Sequence, residues 1–168
     1  GRLRHPYIAQ IFDAGSYDDG EGVKPFFVME HVPNAKTILE YVASKDLDLR
    51  DRLRLFVKVC SALDHGHRNK IIHRDVKPAN VMVAPDPGGT TPGPFMIKLV
   101  DFGIAHRVDT AGAGGGTFAT AGISGTPGYM SPLAKEGANM PQVDLWAVGV
   151  VLFQSLTGRL PWEVGQSD

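Results

Sequence analysis

One cysteine, Cys60, in 168 residues rules out an intrachain disulfide, and nothing points to an oxidising compartment. An excess of charge of one sign is also missing. The formal net charge is −1, which excludes a general electrostatic affinity for nucleic acid or for an anionic membrane surface. Long apolar runs are missing too. None approaches the ~20 residues that cross a bilayer. The longest, Leu145 to Phe153, reads as a buried helix, so no membrane segment is expected in this chain. No zinc-type spacing is present. His65 and His67 stand two apart, do not share a helix face and read as structural. No leader-like stretch opens the chain. It starts at Gly1, its first methionine is Met29, and it reads as a piece of a longer protein. What is there is ordinary: 43% hydrophobic and 21% charged residues, in a length that supports one domain with a real core. Glycine (20) and proline (12) are raised, and they concentrate in residues 85–94 and 111–128, which marks those stretches as long loops.

Taken in order, residues 1–31 read as strands. Tyr7, Ile8, Ile11 and Phe12 precede an acidic, Gly-rich turn from Asp18 to Gly22, and Phe26-Phe27-Val28-Met29 is a compact apolar strand. Thr37 and Glu40 have the spacing of a capping box, so a short helix to about Ser44 follows. Asp48 caps the next helix. On it Leu53, Phe56, Val57, Cys60 and Leu63 recur at helical spacing and are expected to form the buried face. Asp144-Leu145-Trp146-Ala147-Val148-Gly149 opens a helix that is apolar on nearly all sides. It runs to about Leu156, with Gly158 ending it, and belongs in the middle of a domain.

The chemistry gathers in one octet, His73-Arg74-Asp75-Val76-Lys77-Pro78-Ala79-Asn80, followed by Asp101-Phe102-Gly103. Between them, Val81-Met82-Val83 and Met96 to Val100 read as two strands joined by a Pro/Gly-rich turn. A hairpin brings Asp75, Asn80 and Asp101 to one end, beside Lys77. Such oxygen donors suit Mg²⁺, a hard cation bound through one or two carboxylates and substrate phosphates. A lysine suits a transferring phosphoryl group.

At these residues the chain resembles the protein kinase family, whose catalytic-loop signature is this octet followed by Asp-Phe-Gly. The resemblance implies an α+β, protein-kinase-like fold, present in part. Residues 1–31 would be the last upper-lobe strands and the hinge, and residues 32–168 an incomplete, mainly helical lower lobe. It implies ATP and Mg²⁺ as cofactors, with Asn80 and Asp101 as metal ligands. Asp75 would accept or orient the substrate hydroxyl proton, and Lys77 would neutralise charge near the transferred group. Met29 would be the gatekeeper, Glu30 and Val32 would offer hinge backbone groups to adenine, and Met82 would join them in the nucleotide site. Arg74 would pair with a phosphorylated activation loop, and Asp144 would tie down the catalytic-loop backbone. His73, Phe102, Asp144 and Ile11 match four positions of a packed internal column.

Lys77 together with Thr126 is the serine/threonine version of the family. The stretches Val32 to Thr37 and Gly125 to Pro132 look most like bacterial kinases of the eukaryotic type. A protein with a Ser/Thr acceptor is then the substrate, self-association would serve autophosphorylation at Thr117, Thr120 or Ser124, and the expected location is cytoplasmic, with any membrane anchor outside this chain.

The chain also departs from the family pattern. It has no Gly-rich phosphate loop, no lysine-bearing strand and no glutamate-bearing helix. Gly112 to Gly116 do not complete the loop motif, and Val23-Lys24 stands too close to the hinge strand to supply the lysine. Leu133 replaces a glutamate that normally anchors the substrate-facing loop. Two other readings compete: a pseudokinase or scaffold without turnover, and a small-molecule kinase of the aminoglycoside type. The second normally has His-Gly-Asp where this chain has Arg74, and it lacks the loop from Thr126 to Pro132.

Overall fold

The computed structural model describes residues 3–86, 88–89, 93–102 and 125–162. Strands β1 (Ile11–Asp18) and β2 (Val23–Met29) form an antiparallel two-stranded sheet. A second sheet has the order β3 (Lys36–Thr37), β4 (Val81–Pro85), β5 (Phe95–Leu99), all antiparallel. Four helices complete the described chain: α1 (Ile38–Lys45), α2 (Leu49–Arg68), α3 (Pro132–Lys135) and α4 (Pro141–Thr157).

The helix starts follow their local chemistry. The Thr37 hydroxyl accepts from Glu40 N–H, and the Glu40 carboxylate accepts from Thr37 N–H at 2.9 Å, so the capping box is complete. Asp48 caps α2 by accepting from Asp51 N–H at 2.7 Å. Gly158 ends α4 at φ 76°, a conformation that costs an L-side chain about 1–2 kcal/mol and glycine nothing comparable.

The core lies between the β4–β5 hairpin and helices α1, α2 and α4. Val81, Val83, Phe95, Ile97 and Leu99 point into it, alternating along each strand, and meet Ile38, Leu55, Val59, Leu63 and Val151. Ile8 joins this core through a parallel bridge to Leu99. The residues before Ile11 are therefore not strand, apart from that bridge.

Two further expectations are corrected. On α2, Phe56 and Leu63 are buried, but Leu53, Val57 and Cys60 are exposed. The buried residues are Leu55, Phe56, Lys58, Val59, Ala62, Leu63 and Gly66. Counting large apolar side chains picks the wrong face, because the packed face is chosen by close approach and includes small residues. A Cβ on Gly66 would stand 2.0 Å from the Phe102 ring. Helix α4 begins at Pro141, with proline in the first turn where its missing N–H costs nothing. It is not buried all round, since Leu145, Trp146 and Leu156 are exposed and Trp146 stacks on Trp162 at 5.9 Å.

Candidate active site

The octet forms a loop between α2 and β4 with no regular structure until the single 3₁₀ turn Pro78–Asn80. Its shape depends on one buried carboxylate. Asp144, 1% exposed on α4, accepts from the backbone N–H groups of His73 (2.9 Å) and Arg74 (2.8 Å) and from His67 Nε2 (2.7 Å). That holds Arg74 in left-handed backbone at φ 69°, an uncommon conformation for a side chain of this size. His73 donates from Nε2 to Val100 O at 2.9 Å, and its Nδ1 accepts from Asp75 N–H at 3.3 Å. Both ring nitrogens are used in one neutral tautomer. Desolvation lowers the His73 pKa, against opposing contributions from Asp144 and its hydrogen bonds. The ring packs edge-on against Phe102 at 5.1 Å. Of the expected column, His73, Phe102 and Asp144 are buried together, whereas Ile11 lies in β1, half-buried and outside the main core cluster.

Asp75, Lys77 and Thr126 form a triangle. Thr126 Oγ1 donates to Asp75 Oδ1 at 2.9 Å, Lys77 Nζ donates to Thr126 Oγ1 at 2.9 Å, and Lys77 Nζ stands 2.6 Å from Asp75 Oδ2. All three are partly exposed, so a ligand can reach them. Asn80 is buried. Its amide donates to Asp75 O at 2.8 Å and Asp75 Oδ2 at 3.3 Å, which leaves its Oδ1 as the atom available to a cation. Val100 N–H donates to Asn80 O at 2.9 Å, so the ends of β4 and β5 are laced together and Asp101 follows directly. Asp101 is exposed, at φ 60°. An amide oxygen and a carboxylate, both hard donors, fit Mg²⁺ with phosphate and water completing the shell. No cluster of three or more His, Cys, Asp or Glu side chains suited to a metal is found among the described residues.

At the other end of the site, Met29 closes β2 and Glu30 follows. Glu30 N–H donates to Gln10 O at 2.8 Å, which commits its N–H to that neighbouring segment. Val32 O accepts from Ala35 N–H at 3.3 Å, which leaves the Val32 N–H. Met82 lies on β4 opposite Lys98, half-buried on the face turned away from the core. Lys24 pairs with Asp19 and Glu21 in the β1–β2 turn, away from the site.

Several contacts were missed in the sequence. The Tyr129 hydroxyl donates to Gln154 Oε1 at 2.8 Å, and buried Ser131 caps α3 by accepting from Ala134 N–H at 3.0 Å. These anchor the loop around exposed Leu133, which makes no anchoring pair. Arg74 Nε donates to Asn139 Oδ1 at 3.0 Å. A lone lysine in an apolar strand, Lys98, and a glycine inside a helix, Gly66, were the signals open to a closer reading. Gly103, Gly112 to Gly116, Thr117, Thr120 and Ser124 lie outside the described residues.

The family model for the protein kinase domain matches residues 1–168. The chain belongs to the protein kinase family. It is 38% identical over 165 residues to the serine/threonine-protein kinase pkn3 of Myxococcus xanthus, covering 96% of this chain and 28% of that protein. It is 37% identical over 164 residues to the serine/threonine-protein kinase PrkC of Bacillus subtilis, covering 96% and 22%. Against the Mycobacterium tuberculosis PknI kinase domain the kinase chain superposes with a TM-score of 0.70 at 25% identity, covering 99% of this chain and 56% of that one. The chain thus spans about a quarter of the length of the curated relatives it matches. The similarity is to bacterial kinases of the eukaryotic type, and the fold is a mixed α/β part of a kinase domain. No described helix is long and apolar enough to cross a membrane.

Proposed function

We propose that this kinase chain carries the catalytic loop and substrate face of an ATP-dependent serine/threonine protein kinase. The observation that carries the reading is the Asp75–Lys77–Thr126 triangle. It shows a carboxylate accepting from an aliphatic hydroxyl at 2.9 Å while a lysine contacts both partners. An incoming Ser or Thr hydroxyl placed as Thr126 is placed would hydrogen-bond to Asp75. The carboxylate would orient that hydroxyl and take its proton as the new O–P bond forms and the bond from the γ-phosphorus to the bridging oxygen breaks, releasing ADP. Lys77 would offset charge on the phosphoryl oxygens. Asn80 Oδ1 and Asp101 would hold Mg²⁺, which neutralises the donor phosphates when bound. Catalysis of this kind is mainly positioning and electrostatics, and here the positioning comes from Asp144 on α4.

Glu30 C=O and Val32 N–H offer one acceptor and one donor two residues apart, which matches the amino group and ring nitrogen of adenine. Met29 and Met82 would contact the base. Because ATP is the donor, we assign the chemistry to the cytoplasm. The activation loop is the expected site of autophosphorylation between two copies.

The test is phosphate transfer by the full-length protein, its Asp101→Asn and Asp75→Asn variants, and phosphoamino-acid analysis of the product. Asp101→Asn should abolish transfer, and Asp75→Asn should lower kcat by ~10²-fold or more. The product should be phosphoserine or phosphothreonine. Wild-type rates in either variant, or a predominantly phosphotyrosine product, would refute the proposal. Folded full-length protein that binds nucleotide without turnover would instead establish the scaffold reading.

A further inference from the structure

Lys98 is the one charged side chain on an otherwise apolar strand, and it is 9% exposed. Along β5 the core side is taken by Phe95, Ile97 and Leu99, so Met96 and Lys98 face the other way. Lys98 is the cross-strand partner of Met82, so the two share that face. Its ammonium straddles the Glu30 carboxylate, 2.8 Å from Oε1 and 2.9 Å from Oε2. Glu30 is also held from its other side. It exchanges two hydrogen bonds with Gln10: Glu30 N–H to Gln10 O at 2.8 Å, and Gln10 N–H to Glu30 Oε2 at 3.1 Å. The segment leading to Gln10 is itself fixed to β5, through Ala9 N–H to Leu99 O at 3.0 Å and Leu99 N–H to Tyr7 O at 2.8 Å.

We infer that Lys98 and Glu30 are positioning residues that set where the base-contacting backbone stands relative to the β4–β5 floor of the nucleotide site. Neither touches the reacting atoms. Lys98 lies on β5, and Asp101 follows just past the end of that strand, three residues on; Glu30 is the residue whose carbonyl would face the base. The pair therefore ties the base end of the site to the metal end. A buried cation is strongly disfavoured without its counter-charge, so the ammonium resists any displacement of the hinge that would strand it. Met29 and Val32 are thereby held at one distance from Met82, and the carbonyl and N–H that would read the base stay in register.

The inference rests on the ATP reading above, and the experiment separates the two. In the full-length protein, Lys98→Met keeps length and apolar contact and removes the charge. KM for ATP should rise by ~10-fold, a loss confined to ground-state binding, with kcat within ~2-fold of wild type. Discrimination of ATP over GTP should fall towards unity, because the misplaced groups are those that read the base. Lys98→Arg should restore KM and discrimination. A fall in kcat at unchanged KM, or a raised KM with discrimination intact, would overturn the inference. Amide hydrogen exchange across residues 29–35, measured without nucleotide, tests the pair even if the wild-type protein transfers no phosphate. Faster exchange in Lys98→Met than in wild type is expected, and unchanged exchange would also overturn it. Absence of transfer in wild type counts against the ATP reading alone.

Discussion

Replacing Asp144 should be the most damaging single change in the kinase chain outside the groups that touch substrate. The side chain is 1% exposed and accepts three hydrogen bonds, two of them from backbone N–H groups of the catalytic loop. Asp144→Ala removes the acceptor and leaves those donors buried. Each net hydrogen bond to a charged group contributes ~1.5–3 kcal/mol, and an unsatisfied buried donor costs ~1–3 kcal/mol. Water entering the small cavity would offset part of this, so a loss of about 4 kcal/mol is expected, a large fraction of the ~5–15 kcal/mol typical of a domain. Arg74, held at φ 69°, would relax once its N–H is released, and Asp75 would move with it. Asp144→Asn keeps one acceptor oxygen but turns an NH₂ group towards the other donors, so about 2 kcal/mol is expected. Urea denaturation of the full-length protein and both variants, followed by circular dichroism, measures the losses. Asp144→Ala within about 1 kcal/mol of wild type would refute the reasoning, because a truly shared buried acceptor cannot be removed so cheaply.

Three further outcomes are expected. Gly66→Ala should destabilise by ~1–3 kcal/mol through overpacking, since its Cβ would meet Phe102 Cζ at 2.0 Å, and should lower phosphate transfer by shifting the residue next to Asp101; a neutral effect on both would show that the helix moves away freely. Burial holds the His73 pKa below 6.5, so the unfolded state binds the extra proton first and stability should fall as pH drops below 6.5; His73→Phe should flatten that slope, and an unchanged slope in urea titrations at several pH values would contradict it. His5, lowered mainly by burial and by His65, acts in the same direction. Residues 1–168 alone should show no appreciable ATP turnover beside the full-length protein, because their sequence carries neither the Gly-rich phosphate-loop motif nor the Val-Ala-Ile-Lys lysine of the family; turnover within ~10-fold would show that the lower-lobe groups suffice.

Much of the chain was legible as sequence because its signals are local. The capping box at Thr37 and Glu40, the Asp48 cap and the Gly158 stop depend on residues a few positions apart, the β4–β5 hairpin joins neighbouring segments across one turn, and each stands where the spacing put it. The octet and Asp101 follow from order along the chain, and the hairpin brings Asn80 and Asp101 to neighbouring strand ends. What only the tertiary structure decided involves partners far apart in sequence. Leu53, Val57 and Cys60 have helical spacing as good as that of the true stripe, and packing against the β4–β5 hairpin, α4 and the ring of Phe102 seated on Gly66 selects the other face. Asp144 reaches His73 across 71 positions, Lys98 reaches Glu30 across 68, and Thr126 reaches Asp75 across 51. Periodicity carries no information about such pairs, because a charge in an apolar strand or a glycine in a helix looks like a local fault until the fold supplies the counter-charge or ring that accounts for it.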